Sequence, residues 1–143
     1  MNMNHTLKIE LKDFPAAHRI TRNYEGPCNH LHGHNYLAKI YISASKLNTA
    51  DMVLDFSIVK SICNKWIKDN LDHSVIISDF DKPLLDFVKQ EKQKYYNIGP
   101  FNSSVEKLSE HMFYEFKKIL PANITLKSIE VFEKSTSSSL FQA

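Results

Sequence analysis

Residues 103 to 121, SSVEKLSEHMFYEFKKILP, carry the start, the face and the stop of a helix in one stretch. Ser103 and Glu106 fit a capping box, Val105, Leu108, Met112, Phe113, Phe116 and Ile119 recur at helical spacing, and Pro121 closes the run. An apolar stripe that wide has to be covered. What the chain offers on either side is strand. YLAKIYISA at 36 to 44 and ITLKSIEVFE at 124 to 133 have β-branched and aromatic content, and LKIEL at 7 to 11 alternates apolar with polar. A second helix is predicted over 56 to 71, where Asp55 can cap a stripe of Ile58, Val59, Ile62, Cys63, Trp66 and Ile67. The connection from 72 to 101 is too long to be structureless in a compact domain, and residues 83 to 94 can supply a further helix. The Ser-rich 135 to 139, followed by Leu140 and Phe141, forms a short last strand or a frayed end. The order predicts the α+β class: a four-stranded antiparallel sheet with two main helices on one face.

A chain of 143 residues is expected to form one domain with a core large enough to need no metal or disulfide. A formal charge of +2 without basic runs speaks against nucleic acid or a membrane surface as partner. No apolar run is long enough to span a bilayer and the first residues do not read as a secretory signal, so the expected compartment is the cytoplasm. There the two cysteines, Cys28 and Cys63, are expected as free thiols.

Against that ordinary background stands CNHLHGHNY at 28 to 36, which concentrates three of the seven histidines and one of the two cysteines. In a strand, positions i and i+2 share a face, so a strand starting near residue 32 aims His32 and His34 at one point. Gly33 between them clears the opposite face or marks a bulge. His18, in FPAAH, is a third imidazole that an antiparallel neighbour would carry alongside. Three neutral imidazoles suit Zn2+, and three protein ligands with a fourth position open are the arrangement of catalytic zinc. The plain alternative is a set of loop histidines without metal.

Cys28 has three readings: a small buried hydrophobe, a fourth ligand closing a structural site, or a reactive thiol beside the metal. A thiol acting as base needs a lowered pKa, and Asp72 adjoining His73 in LDHS can provide the neighbour, in a turn if both side chains face the site. His30 receives no role, and His5 and His111 read as a surface and a helix-face residue. Glu133 shares its parity with Ile129 and Val131, which puts a carboxylate in line with an apolar face. It is either the strand end emerging into water or a carboxylate that receives paired N–H donors from a flat heterocycle such as an amino-pyrimidinone.

FPAAH at 14 to 18, C-x-x-L-H-G-H at 28 to 34, DF at 55 to 56, LDH at 71 to 73 and E-x-x-T-S at 133 to 137 together resemble the 6-pyruvoyl-tetrahydropterin synthase family, which includes the 6-carboxy-tetrahydropterin synthases of the queuosine pathway. The resemblance spans nearly the whole chain and implies a single domain over 1 to 143 with the tunnelling fold. It implies zinc on His18, His32 and His34, a catalytic group of Cys28, Asp72 and His73, and Glu133 as pterin anchor. It also implies homo-oligomers, trimers stacked into hexamers, with active sites between subunits.

The sequence departs from the family pattern before the helix at 103, where Ser104 and Glu106 retain a hydroxyl and a carboxylate for a pterin contact. Glu106 is equally explained as the capping partner of Ser103. Lys134 and Phe141 replace a usual Thr and Tyr, and 79 to 99 is longer than in short bacterial members. The implied substrate is 7,8-dihydroneopterin triphosphate, with Arg19 and Arg22 as candidates for its phosphates or as solvated loop cations. Two products are consistent: 6-carboxy-tetrahydropterin with acetaldehyde, which the Cys-x-x-Leu-His-Gly-His form favours, or the 6-pyruvoyl compound. Retention of Cys28 argues against cleavage to a 6-hydroxymethyl pterin. The rival from another class is a noncatalytic zinc-stabilised binding protein with Cys28 as fourth ligand.

Overall fold

A computed structural model describes residues 5–143. In chain order the elements are β1 (Thr6–Glu10), β2 (Phe14–His18), a 3-10 turn (Pro27–Asn29), β3 (His32–Ala44), α1 (Phe56–Asn70), β4 (Ser74–Ser78), α2 (Lys82–Gln90), β5 (Tyr95–Gly99), α3 (Val105–Ile119), β6 (Ile124–Lys134) and β7 (Ser137–Gln142).

β3 is the organising strand. Its C-terminal half pairs with β1 from Thr6↔Ser43 to Glu10↔Lys39, and its N-terminal half pairs with β2 from Phe14↔Tyr36 to His18↔His32. β1 and β2 are thus two halves of one antiparallel edge, interrupted around residues 11 to 13. On the other side β3 pairs with β6, and β6 with β7, both antiparallel. The expected four-stranded antiparallel sheet is not what forms: the sheet has seven strands and is mixed. Two further strands extend it in the order β5-β4-β2-β3-β6-β7, through parallel pairs β2 with β4 and β4 with β5.

The extension corrects the expectation for residues 72 to 101, which form strand, helix, strand rather than a helix alone. Parallel neighbours need a crossover, and α2 supplies it. Alternation in β4 decides what each side chain covers: Ile76 joins the main core, whereas Val75 and Ile77 pack with Leu84, Leu85 and Val88 of α2 on the opposite face. The main core lies between the sheet, through Ile40, Ile42, Ile129 and Val131, and the stripes of α1 (Val59, Cys63, Ile67) and α3 (Leu108, Met112, Phe113, Phe116). Among the described residues no helix is long and apolar enough to cross a membrane.

Both helix starts matter for the site. Asp55 caps α1 as expected, its carboxylate accepting from Ser57 N at 2.8 Å. In α3 the cap is Ser104, whose hydroxyl accepts from Lys107 N at 3.3 Å, and not Ser103. The capping box therefore does not form as read: Glu106 is an exposed first-turn carboxylate, and Ser103 is left buried and available for another partner.

Candidate metal centre

The register of β2 against β3 places His18 opposite His32 and Ala16 opposite His34, so alternation brings Phe14, Ala16 and His18 onto one face with His32, His34 and Tyr36. The three imidazoles converge there. Their ring centroids are 4.6, 5.2 and 4.9 Å apart, and one ring nitrogen from each lies within 4.8 Å of the other two. The strand begins at residue 32, which is what the H-x-H spacing required.

Hydrogen bonds on the far side of two rings set which nitrogen faces inward. His18 Nδ1 lies 2.7 Å from the carbonyl oxygen of Ser103, and His32 Nδ1 lies 2.6 Å from the carbonyl oxygen of His30. A carbonyl only accepts, so each Nδ1 carries the proton and each Nε2 presents a bare lone pair. The Nε2 atoms of His18, His32 and His34 are buried and make no hydrogen bond. Burial pushes the pKa of His34 down against the pull of Glu133, and the adjoining His18 and His32 rings add to the depression, which favours the neutral ring. Three imidazoles, two of them oriented through backbone carbonyls, form a donor set that fits a zinc-type ion.

The floor is Tyr36, which the sequence reading did not single out although it continues the alternation of His32 and His34. It is fully buried, stacks on Phe14 at 5.5 Å, and lies 5.4 Å from His34 and 6.1 Å from His18 between ring centroids. Its hydroxyl has no hydrogen-bond partner, and burial pushes its pKa far up, followed by the charges of Glu133 and Cys28. Ser103 was also missed as a partner of the site, because the capping pattern accounted for it.

Glu133 does not emerge into water. Its Oε1 lies 3.3 Å from Nε2 of both His18 and His34. Cys28 sits in the 3-10 turn, half-buried and free; Cys63 is a free core thiol, pushed up to about 12 by burial. The Cys28 sulfur is not among the converging ligand atoms. The neighbouring phenol of Tyr24 has its pKa raised, first of all by its polar contact with Cys28.

Asp72 and His73 form a couple, with His73 Nδ1 2.8 Å from Asp72 Oδ1, in a turn where His73 takes φ 59. Among the described residues no side-chain hydrogen bond links the couple to Cys28. His73 borders an open hollow at the β2–β4 seam whose lining includes Pro15, Ala17, Gly33 and Asn35 and also the metal-cluster residue His34. Its side chain is 78% exposed.

The two arginines are committed elsewhere. Arg19 makes a bidentate pair with buried Asp81 at 2.7 and 2.6 Å, and Arg22 lies 4.2 Å over the ring of Phe80 while donating to the Pro100 carbonyl at 3.2 Å. Both fasten the β4–α2–β5 extension to the loop that follows His18. Of the remaining histidines, His5 and His30 are exposed, and His111 faces Tyr96 from α3.

A sheet of this order with a histidine cluster at the start of β3 defines a pterin-synthase architecture, and the family model described as 6-pyruvoyl tetrahydropterin synthase matches residues 6–143. The chain belongs to that family, whose members are enzymes. It is similar to the 6-carboxy-5,6,7,8-tetrahydropterin synthase of Rickettsia conorii, with 33% identity over 124 residues covering 85% of this chain and 88% of that protein. The protein of the same name from Haemophilus influenzae is 28% identical over 130 residues, covering 87% and 89%. Among solved structures, the fold matches 6-pyruvoyl tetrahydropterin synthase from Plasmodium vivax with a TM-score of 0.76 at 19% identity, over 99% of this chain and 98% of that one. The Caenorhabditis elegans enzyme of that name gives 0.71 at 23% identity, over 99% and 96%.

Proposed function

We propose that this protein converts 7,8-dihydroneopterin triphosphate to 6-carboxy-5,6,7,8-tetrahydropterin with release of acetaldehyde and triphosphate, as a zinc-dependent lyase of queuosine biosynthesis. The observation that carries the reading is the set of three buried, bare Nε2 atoms on His18, His32 and His34. The name of the relative that is 33% identical over 85% of this chain favours the 6-carboxy product.

In this reading the three histidines hold the ion, which when bound supplies Lewis acidity toward the substrate's side-chain hydroxyls. Glu133 receives the paired N–H donors of the pterin ring and fixes its orientation by a charge-assisted contact. Tyr36 closes the floor and keeps water out. Cys28 moves protons between side-chain carbons as a thiolate, and Ser104 and Glu106 at the start of α3 line the ring's approach. The Asp72–His73 couple, with its imidazole exposed, serves the Cys28 of a neighbouring copy in a homo-oligomer, a trimer or hexamer with sites between subunits. The protein works in the cytoplasm, with the small-molecule pterin as partner and neither nucleic acid nor membrane.

Incubation of the zinc-loaded protein with 7,8-dihydroneopterin triphosphate tests this. Acetaldehyde and 6-carboxy-tetrahydropterin are expected. A 6-pyruvoyl product without acetaldehyde would replace the product and keep the enzyme class, and an unchanged substrate would remove the assignment.

A further inference from the structure

Glu133 sits at an irregular point of the sheet. The β6–β7 register shifts between Phe132 and Lys134, and the β3–β6 pairing begins at Leu37↔Phe132, so the residue between is the unpaired one on both sides. A bulge re-aims a side chain. Here it turns the carboxylate over the histidine cluster, where Oε1 lies 3.3 Å from two of the three Nε2 atoms.

That distance has a meaning. In a tetrahedral zinc site with bonds of roughly 2.0 to 2.1 Å, the ligand-to-ligand edge is about 3.3 Å. The carboxylate oxygen therefore stands at ligand spacing from two of the three ring nitrogens, those of His18 and His34, and reaching the third is left to a bound ion drawing the side chain in. The same carboxylate cannot also accept the N–H pair of a pterin ring.

We propose that Glu133 is a carboxylate switch: in the ligand-free protein it completes the coordination of the metal held by His18, His32 and His34, and it leaves that position to grip the pterin ring, opening the metal to the substrate's side chain. The inference rests on the metal and pterin assignments above and adds an order of events to them. Ring binding and access to the metal are then thermodynamically linked, each favouring the other by the same factor.

The test uses the full chain loaded with Co2+, azide as a small metal ligand, and unsubstituted pterin, which has the ring but no side chain to reach the ion. Azide binding is followed by visible absorption. In the wild-type protein pterin should tighten azide binding about tenfold. The Glu133→Gln variant should bind azide about tenfold more tightly than wild type without pterin, and pterin should then change nothing. Equal azide affinity in both proteins, unaffected by pterin while Co2+ binds stoichiometrically, overturns the switch and leaves the metal assignment standing. Failure to take up Co2+ overturns both. Should Glu133→Gln fail to fold, the wild-type linkage decides alone: tightening by pterin supports the switch, and no change overturns it.

Discussion

The carbonyl oxygen of Ser103 accepts a hydrogen bond from His18 Nδ1 at 2.7 Å, joining the residue before the α3 cap to a strand 85 positions earlier. This bond fixes the tautomer that turns Nε2 inward, and it ties the position of α3 to the geometry of the cluster. The Ser103 hydroxyl, 3.2 Å from the same nitrogen, is the lesser acceptor. Ser103→Ala should therefore weaken zinc binding by less than about tenfold in chelator competition, since the carbonyl remains. A larger loss would make the hydroxyl the orienting group.

The Arg19–Asp81 pair predicts a structural phenotype. Asp81 is buried with 5% of its side chain exposed, and its carboxylate is spent on Arg19 rather than on capping α2. Arg19→Ala leaves that charge buried without a partner and should cost about 3 kcal/mol in urea unfolding. The double variant with Asp81→Asn should recover part of the loss. A fully stable Arg19→Ala protein with a raised KM would instead return Arg19 to phosphate binding.

Tyr36→Phe should be neutral or stabilising by up to about 1 kcal/mol, because it deletes a buried hydroxyl that no group satisfies while keeping the stack on Phe14. Thermal unfolding of the metal-free protein reads this. Marked destabilisation would mean that the hydroxyl has a partner within the protein.

His111 gives a pH dependence separate from the metal centre. Burial lowers its pKa, helped by Lys118 and opposed by Glu115, and its Nε2 lies 2.5 Å from the hydroxyl of Tyr96, itself pushed up by burial to about 12. A neutral ring accepts that bond and a protonated one does not. With the folded pKa below the unfolded value near ~6.5, the unfolded chain binds the proton first, so stability falls as pH drops below that value toward the folded pKa. Urea midpoints between neutral and mildly acidic pH should show a shallower decline for His111→Gln than for wild type. Equal slopes would contradict the assignment.

What the sequence made legible was local. The two main helices, the Asp55 cap and the alternation of His32 and His34 follow from spacing alone and stand in the structure, whereas Ile58, read into the stripe of α1, is exposed at its first turn, and Glu133 sits at a register shift that alternation does not foresee. The parallel pair β4 and β5 was hidden because SVIIS and YYNIG are five-residue strands, too short to show a period, and their pairing depends on a crossover that no local signal announces. Ser103 was assigned to a cap because two adjacent serines satisfy the same pattern, and only packing against His18 decides which one caps. The direction in which His73 presents its ring depends on the turn at that residue and on the edge to which β4 adds, neither of which a local pattern announces.

The most direct test of the central claim is the metal content of the purified full chain beside single replacements of the cluster. The account predicts about one zinc per chain in the wild type and its loss in His18→Ala, His32→Ala and His34→Ala, with Cys28→Ala retaining the metal. Wild-type protein without stoichiometric zinc, or zinc that survives the histidine replacements and departs with Cys28, would contradict it.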